Sequence, residues 1–402
     1  MSDRRREEKK AGRSRQEAGR ADRRRQGVIE LLRNLGLSSP RPELIEALMA
    51  RRYPEPDVVL ADGLAEDEAA RKARLDVLEA FNAATVMLQP HDVTVTLPVF
   101  FADHRNIDDA CQAELEVGGN AGPAWTEFAK SVVPYRGANT KRAAESMCRV
   151  VDVALLPHCD FSKAIYFWDY AVARHNGRPR FTVVVRRHQA QAVTFVRDGI
   201  SRPAWRCGLP MSGSIKWAQW GRNIPGFGRD AEMVDVYIQS HALQRLHERL
   251  CFEPVGLTDW AWQSLNEPVL HPQDGGWLVE FRLFQKLRLG YFRAEFIDGR
   301  ILITTFLFLT NEGTPEGRRL REKTRFTTDQ IAWLKIDQLS YFLLSDVQDD
   351  LRLRALFDEC GCGHLFDMMK PEARVSTMRA AAETRRHLKM PPLSLDTFQT
   401  RS

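Results

Sequence analysis

The pattern of apolar and polar positions changes period several times along the 402-residue chain, and each change predicts a different element. Residues 27–52 carry two short helical patterns, GVIELLRNLGL and RPELIEALMARR, separated by an SSP break in which Ser39 and Pro40 supply a stop and a start. A longer helix is predicted over residues 66–88, where Leu75, Leu78, Phe81 and Thr85 recur at spacings of three and four. The alternating stretch DVTVTLPVFF reads as a strand, and helical patterns resume at 123–132 and 138–156.

Farther on, the period shortens to that of strands. RFTVVVRR and AVTFVRDG are β-branched runs joined by residues 188–191, which predicts a hairpin with a four-residue loop. Residues 203–230 hold five glycines and three prolines with Trp205, Trp217 and Trp220, and read as a loop long enough to bind something or to pack as a unit. Lys216, Arg222 and Arg229 interleave with those tryptophans and suit single-stranded nucleic acid; the alternative is a small satellite core of indole rings. In WLVEFRLFQKLRL, Phe281, Leu283, Leu287 and Leu289 alternate with Arg282, Lys286 and Arg288, so a strand here has one apolar and one basic face, with Phe284 among the cations. YFRAEF, the tight turn Asp298-Gly299 and the apolar RILITTFLFLT complete a predicted antiparallel meander over 277–310. Thr314 as N-cap and Pro315 at the first position start a helix carrying Arg318, Arg319, Arg321, Lys323 and Arg325, a basic cluster that either extends the basic strand face or is a solvated helix face. Helical patterns close the chain at 327–336, 345–360 and 374–388.

The expected class is therefore α+β: a disordered basic arm (1–26), a mainly helical region with a hairpin and a Gly/Trp-rich loop (27–230), a helix with an antiparallel sheet (231–345), and a helical C-terminal region with a flexible tail (346–402). Composition narrows the setting. Apolar residues make up 44% and charged residues 28%, ordinary for a globular protein. The longest apolar run, ILITTFLFL, is too short for a membrane helix, and seven scattered cysteines fit reduced thiols, so a cytoplasmic protein without membrane partners is expected. Charge is unevenly spread: residues 1–26 hold eleven Arg or Lys against five Asp or Glu, while the whole chain has a net charge of only +5. Such an arm attracts nucleic acid by displacing phosphate counterions, or simply solubilises the chain.

Candidate chemistry concentrates in VDVYIQSHALQRLHERL, residues 234–250, a strand running into a helix. With Ser240 as N-cap, His241, Arg245, Glu248 and Arg249 share one arc, and Leu243, Leu246 and Leu250 lie opposite. The positive end of the helix dipole disfavours imidazolium in the first turn, so His241 is expected to be neutral near pH 7 and able to take a proton. Arg245 and Arg249 would hold a phosphate. That set suits metal-independent RNA scission; ordinary helix-surface ion pairing is the competing reading. Cys360, Cys362 and His364 in CGCGH offer soft ligands, but a closed zinc site needs four, so a reduced helix terminus is expected there. Phosphate-loop, dinucleotide-fingerprint and nucleophile-elbow motifs are absent, and no cofactor or metal is called for.

SHALQRLHER followed by a meander ending in LFLT resembles RelE-like toxins and the barnase/EndoU-like nucleases, in which a His-Ala-x-x-Arg-x-x-x-Arg helix leads into a sheet. The resemblance covers residues 234–310. It implies a ribonuclease or toxin-like module with His241, Arg245 and Arg249 in the helix positions and Thr310 at the polar end of the last strand. Arg282, Lys286, Arg288, Arg318, Arg319 and Arg321 would form the nucleic-acid track, and an antitoxin-like inhibitor would be a partner. The segment DWAWQSLNEP and the size of the chain depart from that pattern. The alternative is a non-catalytic protein that uses the same fold to bind nucleic acid or a partner.

Overall fold

The computed structural model describes residues 2–117, 122–175, 178–197, 199–221, 233–250, 257–368 and 384. The chain divides into two units: Met1–Leu155, Tyr166–Arg187 and Pro210–Ser214 form the first, and Leu156–Ile165, His188–Leu209 and Ile215–Ser402 the second. Helices and sheets occur in both, which makes the class α+β. Among the described residues no helix is long and apolar enough to cross a membrane.

In the first unit, α1 (Ser2–Asn34) runs through the basic segment for which disorder is expected. Its C-terminal end is fixed by Val28, Leu31, Leu32 and Leu35, all buried. Propagating a helix from a packed nucleus costs little, and Arg, Glu and Ala are strong helix formers. Arg24 and Arg25 pair with Glu55 and Glu46 at 3.2 and 3.0 Å. After α2 (Pro42–Arg51) and β1 (Asp57–Leu60) comes α3 (Glu68–Ala83), whose N-cap Asp67 accepts the Ala70 N–H and whose buried stripe is Ala70, Ala73, Val77 and Phe81. This helix ends before residue 88 because β2 (Thr85–Leu88) pairs with β3 (Val93–Thr96). A short α4 (Leu97–Val99) passes through a π-helical turn into α5 (Arg105–Val117), followed by α6 (Pro123–Val132) and α7 (Arg136–Leu155). The sheet order is β1-β5-β4, with β4 at Ala164–His175 and β5 at Arg178–Gln189. RFTVVVRR therefore lies in β5 and does not pair with AVTFVRDG, the hairpin partner expected from sequence.

That second run forms β6 (Ala192–Arg197), which pairs with β7 (Ile200–Arg206) at the edge of an eight-stranded sheet in the second unit. Since β7 in turn pairs with β11 (Val234–Gln239), residues 192–206 belong with the later strands, and the boundary expected near 230 is replaced. Part of the expected loop is also strand: β8 (Gly208–Met211), β9 (Ser214–Trp217) and β10 (Gln219–Trp220) precede β11. Trp220 is buried with its indole N–H on the Leu265 carbonyl. Arg222 and Arg229 lie outside the described residues.

From β11 the chain enters α8 (Ser240–Leu250), then α9 (Leu257–Asn266), β12 (Leu270–Gln273), β13 (Gly276–Leu283), β14 (Leu287–Ile297) and β15 (Arg300–Phe308). The sheet order is β12-β13-β14-β15-β11-β7-β6, with β15 parallel to β11 and the meander β13-β14-β15 antiparallel. Asp298 and Gly299, at φ 50° and 73°, make the expected tight turn. The first turn of the meander lies elsewhere than the alternation suggests. WLVEFRLFQKLRL is folded on itself, because Phe284 and Gln285 both take positive φ and Lys286 N–H bonds Leu283 O at 3.0 Å. Phe284 is therefore a turn tip edge-on to Trp260, not an aromatic among strand cations. Phe281, Phe292 and Phe306 pack edge to face at 5.5–5.6 Å on one side of the meander, and Glu280, Arg282 and Tyr291 alternate onto the other.

Thr314 caps α10 (Pro315–Thr324) by accepting the Gly317 N–H, with Pro315 in the first turn. Gly317 is weak in a helix but necessary here: a Cβ would stand 1.9 Å from the Asn311 carbonyl oxygen. Gly317→Ala is expected to cost about 1–3 kcal/mol, read as a lowered urea midpoint. Next come α11 (Thr328–Leu334), α12 (Leu339–Leu344) and α13 (Leu351–Cys360). Of the expected C-terminal helix at 374–388, all but Thr384 lies outside the described residues.

Candidate functional site

The end of β11, a central strand, delivers α8 to one wall of an open cavity of about 360 Å³ in the second unit. α8 buries Ala242, Leu246 and Leu250, so the neighbouring 241/245/249 stripe faces outward. His241, Arg245 and Arg249 line the cavity together with Arg321 of α10, Thr305 of β15, the Asn311–Gly313 loop, and Asp337. The helix begins at Ser240 itself, one residue before the expected start. His241 is solvent-accessible, yet partial desolvation and the charges of Arg245 and Arg202 hold its imidazole below the ordinary value of 6.5, with Glu248 opposing. Arg202 stands on β7 opposite Phe195. Replacing Arg202 by Gln is expected to raise the His241 pKa toward the ordinary value, as seen in an NMR titration of its ring protons.

The three arginines of the cavity differ in how firmly they are held. Arg245 meets Glu248 at 3.0 Å and Arg321 meets Glu312, and all four side chains are about half exposed. Such surface pairs are worth about 0.2–1 kcal/mol, so a phosphate can displace the carboxylate at small cost. Arg249 is different: it is 16% exposed and bound to Asp337, which is 3% exposed. Its charge is committed to a buried carboxylate, so it anchors the wall of the cavity more than it offers a free cation. Thr310, expected at a polar strand end, is fully buried, and its hydroxyl donates to the Ile336 carbonyl at 3.0 Å, fixing the segment that carries Asp337.

Of the expected nucleic-acid track, only Arg321 reaches this cavity. Arg282 and Arg288 oppose each other across β13–β14, a repulsive arrangement compensated by Glu280, which accepts from Arg282 at 2.7 Å and from Arg288 at 3.1 Å. Arg288 also bonds Glu316 at 2.9 Å, and Arg319 approaches the same carboxylate at 3.6 Å. Burial alone would raise the Glu280 carboxyl, but hydrogen bonds from His271, Arg282 and Arg288 hold it below its ordinary range. The arginines of the basic strand face are thus ion-paired within one network, and α10 joins it through Glu316. Lys286 and Arg318 are exposed and lie outside the cavity lining. His364, beside the CGCGH thiols, donates from Nε2 to the Arg288 carbonyl at 2.8 Å, while Gly361, at φ 87°, ends α13.

Asp337 and Arg202 are the residues that sequence reasoning missed. A single carboxylate set between Ile336 and Leu339, just after a helical run, was the available signal for Asp337. Arg202 sits in a strand 39 positions before His241, and nothing local connects the two. Comparison with protein-family models, curated proteins and solved structures finds no match for the chain.

Proposed function

We propose that the second unit is a metal-independent ribonuclease or toxin-like module that binds an RNA phosphate in the α8 cavity. The observation that carries this reading is the meeting of His241, Arg245 and Arg321 around one open cavity, with the imidazole biased toward its neutral form. The reaction is an internal transesterification. His241 takes the proton of a 2′-hydroxyl as O2′ bonds to phosphorus, the P–O5′ bond breaks, and O5′ takes a proton from solvent. Arg245 and Arg321 exchange their surface carboxylates for the phosphate oxygens and steady the charge that develops there. The His-Ala-x-x-Arg-x-x-x-Arg helix leading into a sheet, with its RelE-like resemblance, supports the same reading, and a neutralising inhibitor protein would belong with it. Incubation of end-labelled RNA with the full chain in chelator should yield fragments ending in 2′,3′-cyclic phosphate. Intact RNA across pH 5–9, or fragments with 3′-hydroxyl ends, would count against it.

The second reading is non-catalytic binding of nucleic acid or a partner. It is favoured by the carboxylates Glu248, Glu312 and Asp337, which compensate the arginines of the cavity one for one. Binding of RNA without cleavage in the same experiment supports this alternative.

A further inference from the structure

The second unit holds another cavity, of about 240 Å³, where α9 packs on β13. Its two walls differ in hydrogen-bonding character. On the α9 side, Gln263 and Glu267 are four positions apart and joined by a bond from the Glu267 N–H to the Gln263 carbonyl at 3.2 Å, so they share one face. Gln263 donates its amide to Asp259 at 2.9 Å, which leaves its Oε1 and the exposed Glu267 carboxylate as acceptors. On the β13 side, Arg282 is a donor already held in place. Its Nε and Nη2 both bond Glu280 Oε2, the first at 2.7 Å, and its backbone N–H bonds Ser264 Oγ at 3.1 Å. The side chain is nonetheless 37% exposed, and its Nη1 has no partner among the described residues. Glu280 does not compete for a ligand's cation, since its Oε1 already accepts from His271 and Arg288 at 2.7 and 3.1 Å. Gln285 adds an exposed amide to the lining. It is held there by the turn at Leu283–Lys286, whose central residues Phe284 and Gln285 take left-handed φ of 50° and 58° without being glycine. Side chains in that region cost free energy, and such outliers concentrate at ligand sites. Val269, 39% exposed, supplies an apolar patch in the same lining.

We propose that this cavity binds a free α-amino acid, with its carboxylate on Arg282 and Gln285, its ammonium on Glu267 and Gln263 Oε1, and its side chain against Val269. A guanidinium fixed by one edge offers the other to a carboxylate through charge-assisted hydrogen bonds, and less side-chain freedom is then lost on binding. The ammonium brings three donors, which the two acceptors of the α9 face and a water satisfy. Ligands of a single sign are disfavoured. A phosphodiester or inorganic anion meets Glu267 as well as Arg282, and a simple amine sets its positive charge beside the guanidinium. Binding here is independent of the ribonuclease reading, because the two cavities have no lining residue in common.

Ligand-detected NMR on the full-length protein is the test. Each common L-amino acid is titrated singly, and at least one should bind with a Kd of about 1 mM or tighter. For the tightest binder, the methyl ester, which lacks the carboxylate charge, should bind about 10- to 150-fold more weakly, the factor for one hydrogen bond to a charged group. The N-acetyl derivative, which lacks the ammonium, should bind at least about threefold more weakly, a smaller loss because Glu267 is exposed. Arg282→Gln should erase the penalty for the ester, and Glu267→Gln the penalty for acetylation, each to within about twofold. Glu267→Gln changes only an exposed side chain just past the end of α9, so its arm of the test stands even if Arg282→Gln does not fold. Absence of binding by every amino acid at about 10 mM overturns the inference. So does binding that is indifferent to esterification and acetylation, or that keeps both penalties in the two variants, which would put the ligand elsewhere on the protein.

Discussion

Arg249→Ala is expected to destabilise the protein by about 3–5 kcal/mol, the range for removing one member of a buried ion pair. Asp337 is buried, at 3% exposure, and Arg249 is half-buried, at 16%. Burial already pushes the Asp337 carboxyl upward, and Arg249 is the main influence that holds it down. Without the guanidinium the aspartate must either protonate or stay charged while buried without its ion-pair partner, and each costs free energy. Urea unfolding with an unchanged slope measures the loss. Replacing both residues, Arg249→Met with Asp337→Leu, should lose much less, since an apolar pair leaves no stranded charge. A loss below about 1 kcal/mol for Arg249→Ala would place the pair among ordinary surface contacts.

The second large effect is on chemistry. His241→Ala is expected to lower RNA cleavage by about 10²- to 10⁴-fold, the usual contribution of a positioned base. Little change in folding stability should accompany it, because the ring is accessible and the helix is held by Ala242, Leu246 and Leu250 on another face. The same account fixes the sign of the pH dependence. A base acts when unprotonated, so the wild-type rate should rise with pH and level off once the imidazole is neutral. As partial desolvation and the charges of Arg245 and Arg202 push the pKa below 6.5, the plateau should already be reached near neutrality. Removing either cation should move the rising limb toward higher pH.

How much of this could be read from sequence depended on whether the physical cause was local. Thr314, Pro315 and the Asp298-Gly299 turn were legible because caps and tight turns are set by a few adjacent residues. The α8 stripe was legible for the same reason: a helical period places residues 241, 245 and 249 together whatever the rest of the chain does. The turn at Phe284 and Gln285 was hidden, because neither residue type signals a positive φ and the alternation continues smoothly across it. Pairing was hidden too. RFTVVVRR and AVTFVRDG have the composition of hairpin partners, yet each found a better partner elsewhere, and only the sheet order reveals it. The ion pairing of the basic face was hidden as well, because Glu280 and Glu316, which bind Arg282 and Arg288, lie outside the Arg/Lys pattern. The N-terminal arm shows the same limit in reverse: its helix continues into the buried segment Val28–Leu35, which lies outside the basic run.

Single-turnover cleavage of a labelled RNA in excess chelator, with wild-type and His241→Ala proteins side by side, tests the central claim most directly. The account predicts cleavage by the wild type that resists chelator, rises with pH to a plateau, and falls at least about a hundredfold in the variant. Equal rates for the two proteins, or wild-type cleavage that chelator abolishes, would contradict it.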